Sequence, residues 1–463
     1  MLKKQLKIFS DNDIFYCIWK NIHNYKFNIE DPFDLDIYLD PNNSKKAFTI
    51  LENNGWIRVI NPVAEYNYIR HYYYFSIDKI YHLHIYSGLR TGDSWLKNYY
   101  FPLNEFIKKN AFEDSNKIFV LSDPAYYLIF LIRFFIKNST YFGRILYKNS
   151  YNNYNSEITF IESNLKDLHA SEFLEKQFIE FINLVKKENI SYKNIPTLKE
   201  AKRISKIFNK YLIVNTKTIF IRHIFSLLIR LFNKLFIRLN KVPIKSGMIV
   251  VLYGSDGCGK SSLANSLART FSKVIPTKRV HLGKPFISNK IFKKYLYSEK
   301  QKQNLENNKK KQDNLILNIF KSLFLSFLRL FYSYIQLFRK QFGMLIISDR
   351  WPAETYGAID SPKKFYSNKY NYFIKLINFL NLSIYKFIPK ADLAIYLDTD
   401  LDIILSRNKN RNNPEPEEFI KRRFEEIRLI NIKAKNKMKF RNNKELKDAT
   451  NDCLYFISKF INQ

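Results

Sequence analysis

The segment Met248-Ile-Val-Val-Leu-Tyr253 leads directly into Gly254-Ser-Asp-Gly-Cys-Gly-Lys-Ser261. The first six residues form an apolar, largely β-branched run, which predicts a buried strand. The next eight match the pattern Gly-x-x-x-x-Gly-Lys-Ser/Thr, and a helix-like stretch, Lys260–Phe271, follows them. Strand, glycine-rich turn and helix in this order are the context that distinguishes a phosphate-binding loop from an ordinary glycine turn.

Each residue type in this loop has a chemical role in holding a nucleoside triphosphate. Glycines let backbone N–H groups turn toward phosphate oxygens, and the N-terminus of the following helix adds partial positive charge. Lys260 is expected at the β- and γ-phosphates and the Ser261 hydroxyl at Mg²⁺. We therefore predict ATP and Mg²⁺ as cofactors. The predicted nucleotide-binding residues are Gly254, Ser255, Asp256, Gly257, Cys258, Gly259, Lys260, Ser261 and Ser262.

A second apolar strand, Met344–Ser348, ends in Asp349 and Arg350. In open parallel sheets ligands bind outside the carboxyl ends of the strands, so these two side chains are expected beside the phosphate loop. There Asp349 can hold the hydration shell of Mg²⁺ together with Ser261, and Arg350 can meet the phosphate of an acceptor. The alternative is a surface ion pair that follows a core strand.

The order of the predicted elements indicates the fold class and the domain organisation. Further strand candidates, Arg279–Leu282 and Leu393–Leu397, are separated by long helical segments. Alternation of strands and helices predicts an α/β fold for residues 245–463, a doubly wound parallel sheet with helices on both faces. Residues 1–117 mix short apolar runs with turn clusters, which predicts a small α+β domain. Residues 118–244 are predicted to form a helical connecting region.

Residues 247–445 resemble the thymidylate kinase-like branch of the P-loop nucleoside and nucleotide kinases. Besides the phosphate loop, the segments that carry the resemblance are Ser348–Trp351, Pro389–Asp398 and the basic stretch Leu405–Arg411. The resemblance implies transfer of the γ-phosphate of ATP to a nucleoside monophosphate or a related small acceptor. It also implies that Asp256 contacts the acceptor sugar. The catalytic residues it implies are Lys260, Asp349, Arg350 and the lid arginines Arg407 and Arg411.

Two features leave the acceptor open. Tyr253 precedes the first glycine of the loop, where thymidylate kinases have an acid. The second strand leads into Val280–Pro285 and not into an Arg-Glu-Pro type acceptor-binding segment.

Arg407 and Arg411 lie one helical turn apart, so a solvated helix face is the alternative to a lid. The alternative function is a non-catalytic ATP-binding module that regulates or scaffolds an assembly at the membrane surface.

The N-terminal region contains an acid–apolar–acid step, Asp34-Leu-Asp36, in a strand-like run. Alternation places both carboxylates on one face of the strand, the arrangement that holds divalent metals in nucleotidyltransferases. Residues 28–90 resemble the nucleotidyltransferase-like domain that is fused to such kinases. No Gly-Ser pair precedes Asp34, and His82 stands where a third acid is expected. We therefore predict a folded, inactive domain, with a bifunctional kinase and nucleotidyltransferase as the alternative.

The cysteines and the first residues indicate the cellular compartment. Cys17, Cys258 and Cys453 are too widely spaced for a disulfide framework or a Cys-x-x-Cys metal site, which favours a reducing, cytoplasmic environment. Residues 1–16 contain no apolar run of signal-peptide length. We expect a cytoplasmic protein, with peripheral membrane contact as an open alternative.

The charge distribution favours an anionic partner. The net charge is +34, and residues 1–117 hold 15 basic and 14 acidic residues, so the remainder carries nearly all of the excess. Such a surface suits nucleotides, nucleic acid or anionic lipid, although codon bias of an AT-rich genome explains the excess equally well. No nucleic-acid-binding motif is present, so we expect a nucleotide and a small-molecule acceptor as partners. A homodimer is left open.

Two segments bear on membrane contact. Residues 218–240 form a basic amphipathic helix on a helical wheel, able to lie on an anionic membrane or to dock on protein. Residues 315–338 are apolar over the length of a bilayer span, but Lys321 and Arg329 interrupt them. Because this segment directly precedes the Asp349 strand, we expect a core helix there.

Overall fold

The structure, a computed structural model, describes most of the chain in two compact units. Unit 1 comprises residues 1–74 and 78–240, and unit 2 comprises residues 75–77 and 241–463. The described residues are 1–27, 34–62, 68–92, 99–141, 143–145, 156–160, 196–209, 224–225, 228–229, 232–233, 235, 241–283, 315–353, 355, 360–366, 371–410, 414–428, 430 and 432–462.

Unit 1 combines helices with a mixed sheet. Its helices are α1 (Leu2–Ser10), α2 (Ile22–Phe27), α3 (Ser44–Asn53), α4 (Asn104–Asn110), α5 (Asp123–Asn138) and α6 (Leu198–Asn209). Its strands are β1 (Tyr16–Lys20), β2 (Asp34–Leu39), β3 (Ile57–Ile60), β4 (Ile69–Phe75), β5 (Ile80–Ser87), β6 (Leu89–Thr91), β7 (Tyr99–Phe101), β8 (Ala111–Glu113) and β9 (Phe119–Leu121). Within unit 1 the strands of the main sheet follow the order β3-β4-β5-β2-β1-β9-β8, and β6 pairs with β7.

Helix α5 lies in the core of unit 1 because its sequence is apolar on every side. Nearly all of its residues are buried, and its one buried cation, Arg133, lies 3.1 Å from Glu157. Tyr126 donates a second hydrogen bond to the same carboxylate, 2.7 Å long. Pairing is required here, since an unpartnered buried charge is strongly destabilising.

Unit 2 contains a parallel sheet. The strands of unit 2 are β10 (Val242–Pro243), β11 (Met248–Tyr253), β12 (Thr277–Val280), β13 (Leu345–Ser348), β14 (Ala391–Asp398) and β15 (Ala434–Arg441), and the last five form this sheet. Its helices are α7 (Lys260–Phe271), α8 (Leu315–Gln341), α9 (Asn371–Lys386), α10 (Leu401–Lys409), α11 (Glu417–Arg428) and α12 (Leu446–Asn462). The sheet order is β12-β13-β11-β14-β15, and every pair is parallel. The mixed α/β class with a parallel sheet is therefore confirmed for this part of the chain.

The strand order positions a ligand crevice. After β11 the chain forms β12 and β13 on one side of it and then crosses to form β14 and β15 on the other side. The strand order therefore reverses at β11. In open parallel sheets, ligands bind outside the carboxyl ends of the strands at such a point. The strand predicted at Arg279–Leu282 instead spans Thr277–Val280; the chain then continues along the extension of β13, where the Leu282 N–H donates to the Arg350 carbonyl oxygen.

The two segments considered for membrane contact differ in how much of them is described. Helix α8 covers the apolar stretch from 315 onward, and in the described part of the chain no helix is long and apolar enough to cross a membrane. Most of residues 218–240 lies outside the described residues. Those described there include exposed apolar side chains, namely Ile224, Phe225, Leu228, Ile229, Phe232 and Leu235. Membrane contact by this segment stays a prediction.

Candidate active site

The loop between β11 and α7 has the backbone that a phosphate-binding turn requires. Gly257 and Gly259 have φ of 94° and 92°, a left-handed region that glycine enters without the penalty other residues incur. Gly259 immediately precedes the first turn of α7, so the helix N-terminus opens at the loop. Free backbone N–H groups of such a terminus favour anionic ligands.

Asn442 fixes the loop from a distant part of the sequence. It follows β15, and its Nδ2 donates to the carbonyl oxygen of Cys258 at 2.6 Å. A Cβ added to Gly259 would lie 3.1 Å from the same Nδ2 atom, so a larger residue is disfavoured there. Burial raises the pKa of Cys258, which therefore stays a neutral thiol and contributes its backbone to the loop.

Lys260 lies at the centre of the loop. Its Nζ donates to the carbonyl oxygens of Gly254 and Ser255, at 2.9 and 2.7 Å, and lies 3.5 Å from Asp256 Oδ1. The side chain is 12% exposed, so the ammonium group stays partly accessible to a ligand while the two carbonyl oxygens fix its position. This is a position from which a compact cation can meet phosphate oxygens.

Asp349 is the convergence point of three side chains. Its Oδ2 accepts from the Ser261 hydroxyl at 2.7 Å and from Arg279 Nη2 at 2.5 Å, and its Oδ1 lies 2.8 Å from His281 Nδ1. The register explains the meeting: Val280 pairs with Ser348, so the next residues, His281 and Asp349, are neighbours. The structure thus brings Ser261 and Asp349 together at the carboxyl edge of the sheet.

These contacts keep Asp349 ionised. Burial alone would raise its pKa, but hydrogen bonds from His281, Arg279 and Ser261 outweigh burial and hold the pKa well below its usual value. The carboxylate is only 1% exposed. A buried, ionised acid beside a phosphate loop is the type of group that binds a hard cation.

Asp256 is the second acid of the site and is held by basic residues from two elements. Arg423 of α11 donates to its Oδ2, and Arg350 Nη2 lies 3.8 Å from its Oδ1. Burial opposes ionisation, but Lys260, Arg423 and Arg350 lower the pKa of Asp256 overall. Arg350 also lies 3.5 Å from Asp360, whose other oxygen is 2.9 Å from Arg329 of α8.

A cleft of about 690 Å³ unites most of the predicted residues. Arg407 of α10 lines this cleft, and its Nη1 would lie 3.8 Å from a Cβ at Gly259. Gly254 and Asp349 line a small adjoining pocket, whereas Arg411 lies outside the described residues. The residues of the cleft are Asp256, Gly257, Gly259, Lys260, Ser261, Ser262, His281, Arg350, Arg407, Glu415, Arg423, Asn442, Lys444, Glu445 and Leu446.

The donor set fits Mg²⁺ as a nucleotide-bound ion. Mg²⁺ is usually held by one or two carboxylates together with water and substrate phosphates, not by a cage of protein ligands. Ser261 and Asp349 supply a hydroxyl and a carboxylate 2.7 Å apart. Among the described residues no group of three or more His, Cys, Asp or Glu side chains could hold a metal ion, so phosphate oxygens would have to complete the coordination.

Sequence reasoning did not single out Arg279 and Asn442, and it did not assign a role to Arg423. Arg279 and His281 are two residues apart at the end of a strand, so alternation directs both side chains to one face. That Arg-x-His spacing is a usable pattern, but only the register with β13 shows that it faces Asp349. Asn442 follows a strand of mostly polar sequence and carries no comparable pattern.

The two carboxylates predicted for unit 1, Asp34 and Asp36, both lie on β2 and face histidines of the neighbouring strand β5. Strands β2 and β5 are parallel, with Asp34 opposite His82 and Asp36 opposite His84. Asp34 Oδ1 lies 2.7 Å from His82 Nδ1, and Asp36 Oδ1 lies 2.9 Å from His84 Nδ1. Lys20 Nζ is 3.0 Å from Asp36 as well, and Asn21 donates to the other oxygen at 2.6 Å.

Asp36 is thereby saturated with protein partners. Burial alone would raise its pKa, but Lys20 and His84 hold the pKa well below its usual value. Burial lowers the pKa of His84 to about 4, so this histidine is neutral at physiological pH. The positive charge beside Asp36 is that of Lys20.

Comparison with solved structures gives distant matches. A deoxyadenosine kinase from M. mycoides with bound dATP is 15% identical with a TM-score of 0.28, and the match covers 45% of this chain and 99% of that one. A thymidylate kinase from Candida albicans is 22% identical with a TM-score of 0.29, and the match covers 46% and 91% of the two chains. No family model matches the sequence, and no curated protein does.

Proposed function

We propose that unit 2 is a thymidylate kinase-like phosphotransferase that uses ATP and Mg²⁺. Its acceptor is a nucleoside monophosphate or a related small molecule. The observation that carries this proposal is the convergence of Lys260, Ser261 and three arginines, Arg350, Arg407 and Arg423, in one cleft, with Asp349 in the adjoining pocket and 2.7 Å from Ser261. Phosphoryl transfer needs little covalent chemistry from the protein, and positioned positive charge supplies most of the catalysis.

The donor side of the reaction is assigned to the phosphate loop. Lys260 and the backbone N–H groups before α7 bind the β- and γ-phosphates of ATP. Ser261 and Asp349 hold Mg²⁺, which when bound neutralises phosphate charge and orients the triphosphate. Arg279 and His281 keep Asp349 ionised and fixed in place.

The acceptor side is assigned to Asp256 and its arginines. The ionised Asp256 accepts a hydrogen bond from an acceptor hydroxyl, and Arg350 and Arg423 bind an acceptor phosphate. An acceptor oxygen forms the new bond to the γ-phosphorus while the bond from that phosphorus to the bridging oxygen breaks, and ADP leaves. Arg407 lines the cleft, with its Nη1 3.8 Å from the position of a Cβ at Gly259, and stabilises the charge of the transferring group.

Acceptor-dependent ADP formation tests this proposal. The full chain is incubated with ATP, Mg²⁺ and separate panels of nucleoside monophosphates, nucleosides and sugars, while ATP binding is followed by thermal shift. We expect ADP release that one anionic class of acceptor stimulates at least about tenfold, because an arginine pair contributes transition-state binding as well as affinity. ATP binding without ADP formation for any acceptor would instead favour the non-catalytic module.

For unit 1 we propose a domain that transfers no nucleotide and serves recognition or acceptor delivery. Nucleotidyl transfer requires several carboxylates that together hold divalent metal ions and a backbone turn that grips the triphosphate. Here His82 stands where a third acid is expected, no Gly-Ser pair precedes Asp34, and Lys20 lies 3.0 Å from Asp36. In this site the ammonium group of Lys20 neutralises Asp36, as a metal ion would in an active nucleotidyltransferase.

The prediction for unit 1 is that the full chain shows no transfer of labelled nucleotide from any NTP. The assay uses Lys260→Met protein, in which the kinase site is silenced, and compares it with the same protein carrying Asp34→Asn and Asp36→Asn. Equal background in both proteins is the expected result. Incorporation that disappears in the Asp34→Asn/Asp36→Asn protein would establish a bifunctional enzyme and overturn the proposal.

A further inference from the structure

The small pocket beside the cleft contains a buried hydrogen-bond donor that lacks a partner. The pocket has a volume of about 30 Å³, and Trp351, which directly follows Arg350, is part of its wall. Trp351 is 2% exposed, and within the part of the chain that the structure describes its indole Nε1 has no hydrogen-bond partner. Because an unpaired buried N–H group is costly, a ligand or a bound water is expected to accept from it.

Asp256 brings an acceptor to the same pocket. Its Oδ2 accepts from Arg423, whereas the two cations beside its Oδ1, Lys260 Nζ and Arg350 Nη2, lie at 3.5 and 3.8 Å. These distances allow electrostatic attraction, but they exceed the roughly 2.7–3.2 Å of an N–H···O hydrogen bond. Oδ1 of Asp256 therefore keeps the capacity to accept a hydrogen bond from a bound molecule.

The pocket opens toward the cleft on its polar side. Asp256, Lys260 and Arg350 line both spaces, so a molecule in the cleft can extend a substituent into the pocket past these residues. Of the three acids that line the pocket, Asp256, Asp349 and Asp360, only Asp256 also lines the cleft. It is therefore the carboxylate that such a substituent meets first.

The remaining wall of the pocket is largely apolar. Tyr253, Ile427, Ile430 and Ile432 form it, and they pack in the same hydrophobic cluster as Trp351. Burial raises the pKa of Tyr253, so its phenol is neutral at physiological pH. A space of about 10–15 Å³ is enough for one water, so this pocket has room for a small substituent and not for a ring.

A hydroxyl is the group that satisfies both unfilled positions. It accepts from the indole N–H through a lone pair, and it donates its own proton to the carboxylate oxygen. A carbonyl oxygen cannot donate to Asp256, an ammonium group cannot accept from Trp351, and a methyl group can do neither. The chemistry of the two residues therefore distinguishes a hydroxyl from other substituents of similar size.

We propose that this pocket is the subsite for a hydroxyl of the acceptor and that Trp351 is a specificity-determining residue. The hydroxyl donates to Asp256 and accepts from Trp351 Nε1, while the rest of the acceptor lies in the cleft. The inference rests on the proposed function of the cleft and narrows the acceptor to hydroxyl-bearing molecules such as sugar phosphates and nucleotides. An analogue without the hydroxyl is rejected because it leaves a buried polar group unpaired.

Binding of hydroxyl-deletion analogues to the full chain tests the proposal. The protein is first saturated with Mg²⁺ and a non-hydrolysable ATP analogue, which directs monophosphates to the acceptor side, and affinities are then measured by calorimetry. The panel consists of ribonucleoside monophosphates, each with its 2′-deoxy and 3′-deoxy analogues. We expect the loss of one of these hydroxyls to weaken binding at least about tenfold.

Trp351→Phe removes the indole N–H and keeps an aromatic ring. This variant should lose at least about fivefold of the preference for the hydroxyl and bind the hydroxyl-deleted analogue as the parent does. Trp56→Phe is the matched control, because it removes a buried indole N–H of unit 1 that already donates to Gln5 Oε1 at 3.0 Å. It should keep the full preference, and thermal unfolding shows whether both variants are folded.

The comparison in the parent protein needs no variant. Equal affinities with and without each hydroxyl would overturn the proposal and assign the indole N–H of Trp351 to a bound water. A folded Trp351→Phe protein with an unchanged preference would overturn it as well, and so would a parent that binds none of the panel. Hydroxyl-dependent binding without ADP formation would keep the subsite and refute the kinase, whereas ADP formation without hydroxyl dependence would do the reverse.

Discussion

Replacing Lys260 by alanine is expected to abolish ATP-dependent turnover in a protein that remains folded. The side chain is the compact cation of the phosphate loop, held by the carbonyl oxygens of Gly254 and Ser255. Loss of one preorganised charge at a transferring phosphoryl group lowers kcat by about 100- to 1,000-fold. The measurement is ADP formation at saturating ATP, with circular dichroism and thermal unfolding as the test of folding.

Two further variants make this prediction specific. Lys260→Ala also removes two hydrogen bonds from the loop, each contributing roughly 1 kcal/mol or more. Lys260→Met keeps the apolar stem and should lose the same activity with a smaller change in unfolding temperature. Lys273→Ala changes an exposed lysine two residues beyond α7 and should leave turnover and stability as they are. Full turnover in folded Lys260→Ala protein would remove the catalytic function of the loop.

The parts of the site that could be predicted from the sequence are those that a short run of consecutive residues defines. The phosphate loop, Ser261 and the strand that ends in Asp349 each depend on a local pattern, and the shared carboxyl edge of a parallel sheet predicts that they lie together. Arg279, Arg423 and Asn442 come from three other elements, and their meeting depends on strand register and on helix packing. A register of strands far apart in sequence is not encoded in any short motif.

Two elements of unit 2 show why the rest of the fold was harder to predict. Strand β15, Ala-Lys-Asn-Lys-Met-Lys-Phe-Arg, has no apolar run, and it lies at the edge of the described sheet with its lysines exposed. Edge strands commonly carry lysine because it discourages pairing with other chains, and this removes the pattern by which strands are recognised. Helix α8 was expected in the core, yet it turns its aromatic side outward and its serines inward.

Asp349→Asn is expected to lower Mg²⁺-dependent turnover by at least about 100-fold. The neutral amide is a poorer ligand for Mg²⁺ than the ionised carboxylate, so less positive charge is held at the transferring phosphate. It should also weaken the response of turnover to Mg²⁺ concentration, while ATP still binds through the loop. Asp392→Asn is the matched control. Asp392 is a partly buried carboxylate at the opposite end of the sheet, where Lys340 lies 2.6 Å and Lys435 lies 2.9 Å from it.

The pH dependence of stability provides an independent reading of the same substitution. Burial opposes ionisation of Asp349, but His281, Arg279 and Ser261 hold its pKa well below its usual value, near 3.9 in an unfolded chain. A depressed folded-state pKa means that the carboxylate stabilises the fold fully above about pH 4 and that this contribution is lost as the pH falls toward the folded-state value. In Asp349→Asn protein this part of the acid destabilisation should be missing when unfolding free energies are compared between pH 7 and the acid limb. Turnover that falls equally in Asp349→Asn and Asp392→Asn would make Asp349 a structural residue and leave the metal without a protein carboxylate.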